Sequence, residues 1–268
     1  MRYTGKELKC RARESLMGNY TVPVLSSIGV SVTTSIFVCI VSMMFRGSTT
    51  LATVLSQLTT LIFSLILSVF TAGISHMYLN IGRKNSCSIN DIFYMFHRNP
   101  DRVIVVCFVL TLINMICSVP VYMVQGLVER ISTTEEILRV FPVLMGAICL
   151  SMVLSLFVTL PFAFSYMLLI DHPQMSASEA LKGSASLLKG SKRRLCRFYL
   201  SFTGMGMLVV LSGFAAFIWV EAYMQASMVQ FYMELNGELE QRENTQEQKE
   251  TPALPARLDD CDNYNAEA

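Results

Sequence analysis

Residues that could carry acid–base chemistry are few in this chain. Histidine, the usual proton carrier near neutral pH, occurs only at His76, His97 and His172. The Asp171-His172-Pro173 triplet could handle protons, but it ends an apolar run and proline prevents the helix from continuing. We therefore interpret the triplet chiefly as a helix end. No zinc-protease, serine-hydrolase or P-loop motif is found, so we predict no catalytic residue, metal or cofactor.

Glu221 is the most unusual ionisable residue, because it lies in a largely apolar segment near the end of the chain. An ionisable group inside a bilayer is costly and is usually functional or paired. We predict an intramembrane functional role for Glu221, with Arg130 and Arg139 as the nearest cations. The alternative is an interfacial glutamate that reaches water.

Apolar segments must position these groups. The chain is 53% hydrophobic and 15% charged, and stretches of about twenty apolar residues are long enough to cross a bilayer core of about 30 Å. Five stretches contain no charged side chain: Val22–Phe45, Gly47–Gly82, Val103–Leu127, Val140–Ile170 and Phe198–Val220. The sequence therefore predicts an all-α, polytopic membrane helix bundle. Polar residues precede the first stretch, so we expect an uncleaved span there rather than a signal peptide.

The basic residues predict the orientation. Lysine and arginine are retained on the cytoplasmic side, and an N-terminus in the cytoplasm puts 15 of them inside and 3 outside. The acidic segment 237–268 holds 3 basic and 9 acidic residues. We predict that it forms a disordered cytoplasmic tail.

Short amphipathic helices are predicted in the cytoplasmic segments. Leu8, Ala12 and Leu16 recur at helical spacing in the first. Ser88 with Asp91 begins the second, and the third begins with the capping box of Ser176 and Glu179 and ends near Gly190. One face of the third helix carries Ala180, Leu181, Ser184, Leu187 and Leu188, and the apolar face of the second carries Ile89, Ile92, Phe93 and Phe96.

These helices suggest a pseudo-threefold repeat within an integral membrane domain, residues 1–236. Each unit has one helix in the membrane plane and two spans, in residues 5–81, 88–171 and 176–236. The repeat predicts six transmembrane helices, with a hairpin in residues 198–236 that turns near Ser212 and Gly213. The alternative is five spans, with Trp219 and Tyr223 at the outer interface and the tail outside.

The most specific stretch is Tyr166-Met-Leu-Leu-Ile-Asp171-His-Pro173, followed by Ser176, Glu179 and Leu187-Leu188-Lys189-Gly190. It resembles the bacterial DUF975 family of integral membrane proteins. In that resemblance Asp171, Pro173, Ser176, Glu179 and Gly190 are the family-signature residues. The family is also similar to membrane domains of glycerophosphodiester phosphodiesterases. The resemblance implies a bacterial plasma-membrane protein with six spans and a cytoplasmic C-terminus, and it implies no activity.

A basic segment provides the clearest candidate for ligand contact. Its six cations lie beside an apolar helical face: Lys182, Lys189, Lys192, Arg193, Arg194 and Arg197. Each cation near an anionic leaflet contributes roughly 1 kcal/mol, so we predict contact with anionic phospholipid headgroups. Nucleic acid is not expected as a partner, because no aromatic stacking platform accompanies the cations.

Three functions remain open. The first is a non-catalytic membrane scaffold or accessory subunit that interacts with lipid or a membrane complex. The second is a transporter or permease component for a small molecule or lipid, favoured by polar faces on the spans and by Glu221. The third is an intramembrane enzyme that modifies lipid.

Overall fold

The computed structural model describes residues 3–18, 20–45, 50–98, 100–128, 134–213 and 216–250, and in these residues it is all-helical, with no strand. Thirteen α-helices are present in this part of the chain: α1 Gly5–Leu16, α2 Thr21–Met44, α3 Thr50–Gly82, α4 Tyr94–His97, α5 Pro100–Cys117, α6 Val119–Val128, α7 Thr134–Thr159, α8 Ser165–Asp171, α9 Ala177–Leu187, α10 Lys192–Leu200, α11 Thr203–Leu211, α12 Phe217–Leu235 and α13 Glu238–Glu250. Two short 3₁₀ helices, Ile89–Phe93 and Leu160–Phe162, precede α4 and α8.

Four helical segments are long and apolar enough to cross a membrane: Thr21–Met44, Val54–Gly82, Pro100–Cys117 and Arg139–Asp171. Only 11% of the most apolar window of the first is buried within the protein. Such large exposed apolar surfaces are unfavourable in water and suit lipid. The chain is therefore a membrane protein whose spans present most of their surface to the bilayer.

The buried core lies towards one end of these spans. Tyr78, Phe164, Phe231 and Tyr232 are the largest side chains that are essentially inaccessible to solvent. They come from the last turns of α3, the start of α8 and the second half of α12, and α1, α9 and α10 pack around them. This end holds α1, so we call it the N-terminal end of the bundle.

Proline breaks two of the predicted spans. Pro161 lies in the 3₁₀ turn between α7 and α8, where Ser184 Oγ donates to the Pro161 carbonyl (2.8 Å) and accepts from the Phe164 N–H (3.2 Å). The helix is interrupted at Pro161, and a neighbouring helix satisfies the backbone there. The predicted span Val103–Leu127 also breaks, at Ser118, because Pro120 has no N–H to donate to a continuing helix.

The short helices follow the sequence signals at the first and third positions. Leu8, Ala12 and Leu16 are buried in α1. In α9, the Ser176–Glu179 capping box is formed, and Ala180, Leu181 and Ser184 are buried. Gly190 takes a left-handed conformation with φ +89° between α9 and α10.

The second short helix differs from its prediction. Its first turn is a 3₁₀ helix, so the side chains do not follow α-helical spacing, and Ile89, Phe93 and Phe96 are exposed. Gly73 of α3 allows this segment to approach closely, because a Cβ at position 73 would lie 2.1 Å from the Ile92 carbonyl oxygen.

The hairpin turns where the sequence predicted, at Ser212 and Gly213, and Gly213 has φ +60°. However, α11 has nine residues and spans only about 14 Å. Neither α11 nor α12 is among the four candidate spans, so the prediction of six spans and the threefold repeat are not confirmed. The five-span alternative is wrong, because Tyr3 binds Glu234 at the N-terminal end of the bundle.

The acidic tail is not wholly disordered as predicted. Residues Glu238–Glu250 form α13, which continues from α12 after Gly237 and contacts α3 through Arg242. The Arg242 guanidinium donates to the carbonyl oxygens of Gly82 (3.1 Å) and Arg83 (3.3 Å). These interactions satisfy helix-terminal carbonyls that lack partners within α3. Residues 251–268 lie outside the described residues.

Candidate functional site

A cluster of charged residues joins the ends of four helices. Arg83, directly after α3, binds both carboxylate oxygens of Asp171 at 2.8 Å and both of Glu238 at 3.0 and 2.7 Å. The Tyr232 hydroxyl donates to Asp171 Oδ2 at 2.7 Å. Burial lowers the pKa of Arg83, but its hydrogen bonds to Glu238 and Asp171 outweigh burial and raise that pKa. Bidentate pairs of this kind are strong and directional, so the cluster fixes α3, α8, α12 and α13 relative to one another.

A second cluster holds the N-terminal segment against α12. Glu234 accepts from the Tyr3 N–H (2.9 Å) and from Arg194 Nη2 (2.5 Å), and Arg194 also donates to the Tyr3 carbonyl. The Glu234 side chain is only 5% exposed, so its charge is satisfied almost entirely by protein groups. Beside it, Arg11 and the Tyr3 hydroxyl both donate to Glu243 of α13.

An open cleft of about 970 Å³ lies between α1, the end of α3, α12 and α13. Charged groups of both signs line it: Glu7, Arg11, Glu14, Arg83, Lys84, Glu238, Arg242 and Glu243. Several of these are already paired in the two clusters. The cleft is thus a mixed-charge groove built around ion pairs that hold α13.

Glu221 lines a separate, partly open pocket of about 360 Å³ between α2, α3 and α12, which we call the chamber. It shares the lining with Gln225, one helical turn further along α12, and with serine and threonine side chains: Ser27, Ser31, Thr34, Ser35, Thr71 and Ser75. Arg139 does not line the chamber, and no ion pair involves Glu221 within the described part of the chain. Arg130 lies outside the described residues.

The structure does not bring Arg139, one of the two cations predicted to be nearest, to Glu221. The chamber instead combines Glu221 with Ser27, early in α2, and Ser75, late in α3. Ser27 and Ser75 both lie towards the N-terminal end of the bundle. Glu221 joins them because α12 returns to that end after a short hairpin.

The basic segment forms two helices with one side in the core. Leu188, Leu195 and Phe198 are buried. Five of the six predicted cations are exposed and form no ion pair among the described residues: Lys182, Lys189, Lys192, Arg193 and Arg197. Arg194 is different, because it is half-buried and bound to Glu234. The structure therefore assigns Arg194 to internal packing rather than to a surface ligand.

Four of the five family-signature residues, Asp171, Pro173, Ser176 and Glu179, lie around the end of α8 and the start of α9, and Gly190 lies between α9 and α10. Asp171 binds Arg83, and the Arg102 guanidinium donates to the carbonyl of Pro173 and to that of Met175. Ser176 binds Glu179 in the capping box, and these bonds from the Ser176 backbone and hydroxyl lower the pKa of Glu179. The signature thus specifies the α8–α9 turn.

The histidines do not converge. His76 stacks on Tyr94, with ring centroids 3.9 Å apart. His97 Nδ1 bonds the Phe93 carbonyl, and His172 is exposed while its neighbour Asp171 faces Arg83. Among the described residues, no group of three or more His, Cys, Asp and Glu could hold a metal ion.

Sequence reasoning missed the partners of these residues. Nothing in the sequence paired Arg83 with Asp171 and Glu238, although a cation directly after an apolar run was an available signal. Gln225 also had a signal, since it lies four residues after Glu221 and hence on the same helical face. The role of Glu234 had none.

These features define a helical membrane protein with a charged platform at one end of its spans. The chain belongs to the family described as a protein of unknown function, DUF975, whose model matches residues 1–238. This confirms the resemblance inferred from the Asp171–Gly190 motif. No curated protein and no solved structure matches the chain. The similarity to glycerophosphodiester phosphodiesterase membrane domains stays a prediction.

Proposed function

We propose that this protein is a non-catalytic scaffold or accessory subunit in the bacterial plasma membrane, which binds anionic lipid and a membrane-protein partner at its cytoplasmic face. The observation that carries this proposal is the set of five exposed cations on α9, α10 and their connecting turn, which form no ion pair with any residue that the structure describes. The opposite side of these helices is held in the core by Leu188 and Leu195, both fully buried. The cations are therefore presented on a rigid surface.

Energetics favour lipid as the ligand of this surface. At roughly 1 kcal/mol for each cation near an anionic leaflet, five cations contribute about 5 kcal/mol. Lysine and arginine retention on the cytoplasmic side favours an N-terminus inside the cell. Tyr3 binds Glu234, so an N-terminus inside the cell would put the end of α12 and the beginning of α13 on the same, cytoplasmic side.

Lipid selectivity tests this proposal. Lys182, Lys189, Lys192, Arg193 and Arg197 are replaced together by glutamine, and retained phosphatidylglycerol and phosphatidylcholine are counted by native mass spectrometry of the purified full chain. We expect the preference for phosphatidylglycerol to fall at least about tenfold, because the attractive charges are gone. A control variant replaces the exposed cations Lys6, Arg13 and Lys84 and should keep the preference. Equal loss in both variants, or no loss in the first, contradicts the proposal.

The partner is tested separately by quantitative co-purification from native membranes. The fivefold glutamine variant should lose proteins that the wild type and the control variant retain.

A transporter or permease component is the second candidate function. The observation that favours it is the chamber around Glu221, whose lining is mostly polar although the helices that form it are largely apolar. Flux of a substrate that depends on Glu221, at unchanged protein abundance, would favour this function over the scaffold.

A further inference from the structure

The chamber around Glu221 is lined on one side by α12, the second arm of a helical hairpin that is too short to cross the membrane. Val229 of α12 packs on Gly82, the last residue of α3, where a Cβ would lie 2.7 Å from Val229 Cγ1. Val229 lies twelve positions after Phe217, the start of α12. This part of α12 is at most about 18 Å long, well short of a bilayer core of about 30 Å. The hairpin of α11 and α12 therefore enters and leaves on the same side.

The hydroxyl groups of the chamber offer acceptors rather than donors. Thr34 Oγ1 donates to the Val30 carbonyl (2.7 Å), and Ser35 Oγ donates to the Ser31 carbonyl (2.9 Å). Across the chamber, Ser75 donates to the Thr71 carbonyl at 3.0 Å. A hydroxyl has one proton and two lone pairs. With its proton given to its own helix, each of these oxygens has only lone pairs left for a ligand.

The carboxylate of Glu221 adds charge to this acceptor-rich lining. Its neighbour Gln225 supplies the amide donors, and no cation of the described chain pairs with the carboxylate. An ionised group without a partner in a bilayer is costly, so this lining favours a positively charged occupant.

We propose that the chamber binds a small monovalent cation, with Glu221 as the countercharge and the hydroxyl oxygens of α2 and α3 as further ligands. Its volume of about 360 Å³ is roughly twelve times the volume of one water molecule in the liquid. This space exceeds a bare alkali ion and accommodates a small organic ammonium or a hydrated ion. The proposal does not depend on the lipid-binding surface of α9 and α10.

The single tryptophan provides a direct readout. Trp219 lies two residues before Glu221 and is the only tryptophan in the chain. The full-length protein in nanodiscs is titrated separately with ethylammonium chloride, sodium chloride and potassium chloride while Trp219 fluorescence is recorded. We expect a saturable change for at least one cation. Saturation by ethylammonium identifies an organic ammonium site, and saturation by sodium or potassium alone identifies an ion site.

Matched variants separate binding from ionic strength. Glu221→Gln keeps the shape and removes the charge, and it should weaken the response at least about tenfold. Glu14→Gln, at an exposed position on α1, should respond as the wild type does. If Glu221→Gln does not fold, Ser75→Ala and Thr34→Val test the hydroxyl ligands, and each should weaken binding severalfold. A response that is absent in the wild type, or unchanged in every chamber variant, overturns the proposal.

Discussion

Arg83 and Asp171, 88 positions apart in the chain, form a two-pronged ion pair with both N–O distances at 2.8 Å. The same guanidinium binds Glu238 on its other side. One cation at the end of α3 thus pairs with two carboxylates, one from α8 and one from α13. This arrangement explains why the C-terminal helix is held against the membrane domain.

Removal of the Arg83 charge should destabilise the protein more than removal of the Lys84 charge. In Arg83→Gln, Asp171 and Glu238 lose their shared cation, and Asp171 is left with a side chain only 12% exposed. We expect a loss of about 2–3 kcal/mol in the free energy of unfolding, measured by thermal unfolding in detergent. Lys84 is exposed, so Lys84→Gln should change stability by less than about 0.5 kcal/mol. Equal effects of the two substitutions would show that the ion pair contributes little.

Ser184 should be critical for the break at Pro161. Ser184→Ala leaves the buried Phe164 N–H without its acceptor and the Pro161 carbonyl without its donor. We expect a cost of about 1–3 kcal/mol in thermal unfolding. Ser186, on the same helix, is exposed and bonds only the Gly183 carbonyl, so Ser186→Ala serves as the control and should be nearly neutral.

Gly73 should be required for the close approach of the 89–93 segment. A methyl group in Gly73→Ala would collide with the Ile92 carbonyl and push the segment away, at a cost of about 1–3 kcal/mol. Burial, together with the charge of Asp91, raises the pKa of Cys87 to about 11. In Gly73→Ala the Cys87 thiol should be more exposed, and its pKa should fall. Peptide-level mass spectrometry should therefore find faster maleimide labelling of Cys87 near pH 8 in this variant. Gly146→Ala, with no atom within 4 Å, should leave the labelling rate unchanged.

Acid should loosen α13. Hydrogen bonds from Tyr3 and Arg11 lower the pKa of Glu243 in the folded protein. The contact therefore contributes stability above the unfolded pKa of about 4.3, and this contribution is lost as the pH falls through the lower folded value. Hydrogen-exchange protection of α13 amides, corrected for intrinsic rates, should decrease in that range.

Glu243→Gln separates this contact from other acid effects. The variant should have weaker protection at neutral pH and a smaller decrease on acidification. The same acid response in the variant as in the wild type would exclude Glu243 as its cause.

Local sequence features predicted the secondary structure well where one physical factor dominated. Four of the five long uncharged runs correspond to candidate spans, because a bilayer demands a certain length of apolar helix. The Ser176–Glu179 signal and Gly190 predicted the limits of the α9 segment, because caps satisfy backbone groups within a few residues. The same reasoning failed at Ile89–Phe93, where packing against Gly73 accompanies a 3₁₀ turn that local spacing did not reveal.

By itself, the sequence determined that lipid surrounds this protein and where most helices begin and end, since both depend on neighbouring residues. Only the tertiary structure decided which charges meet. Arg194 could equally have faced lipid, yet it binds Glu234, and the predicted tail begins with a helix anchored by Arg83 and Arg242. Ion pairs and chambers depend on residues far apart in the chain, and their partners are chosen by helix packing, which no local pattern encodes.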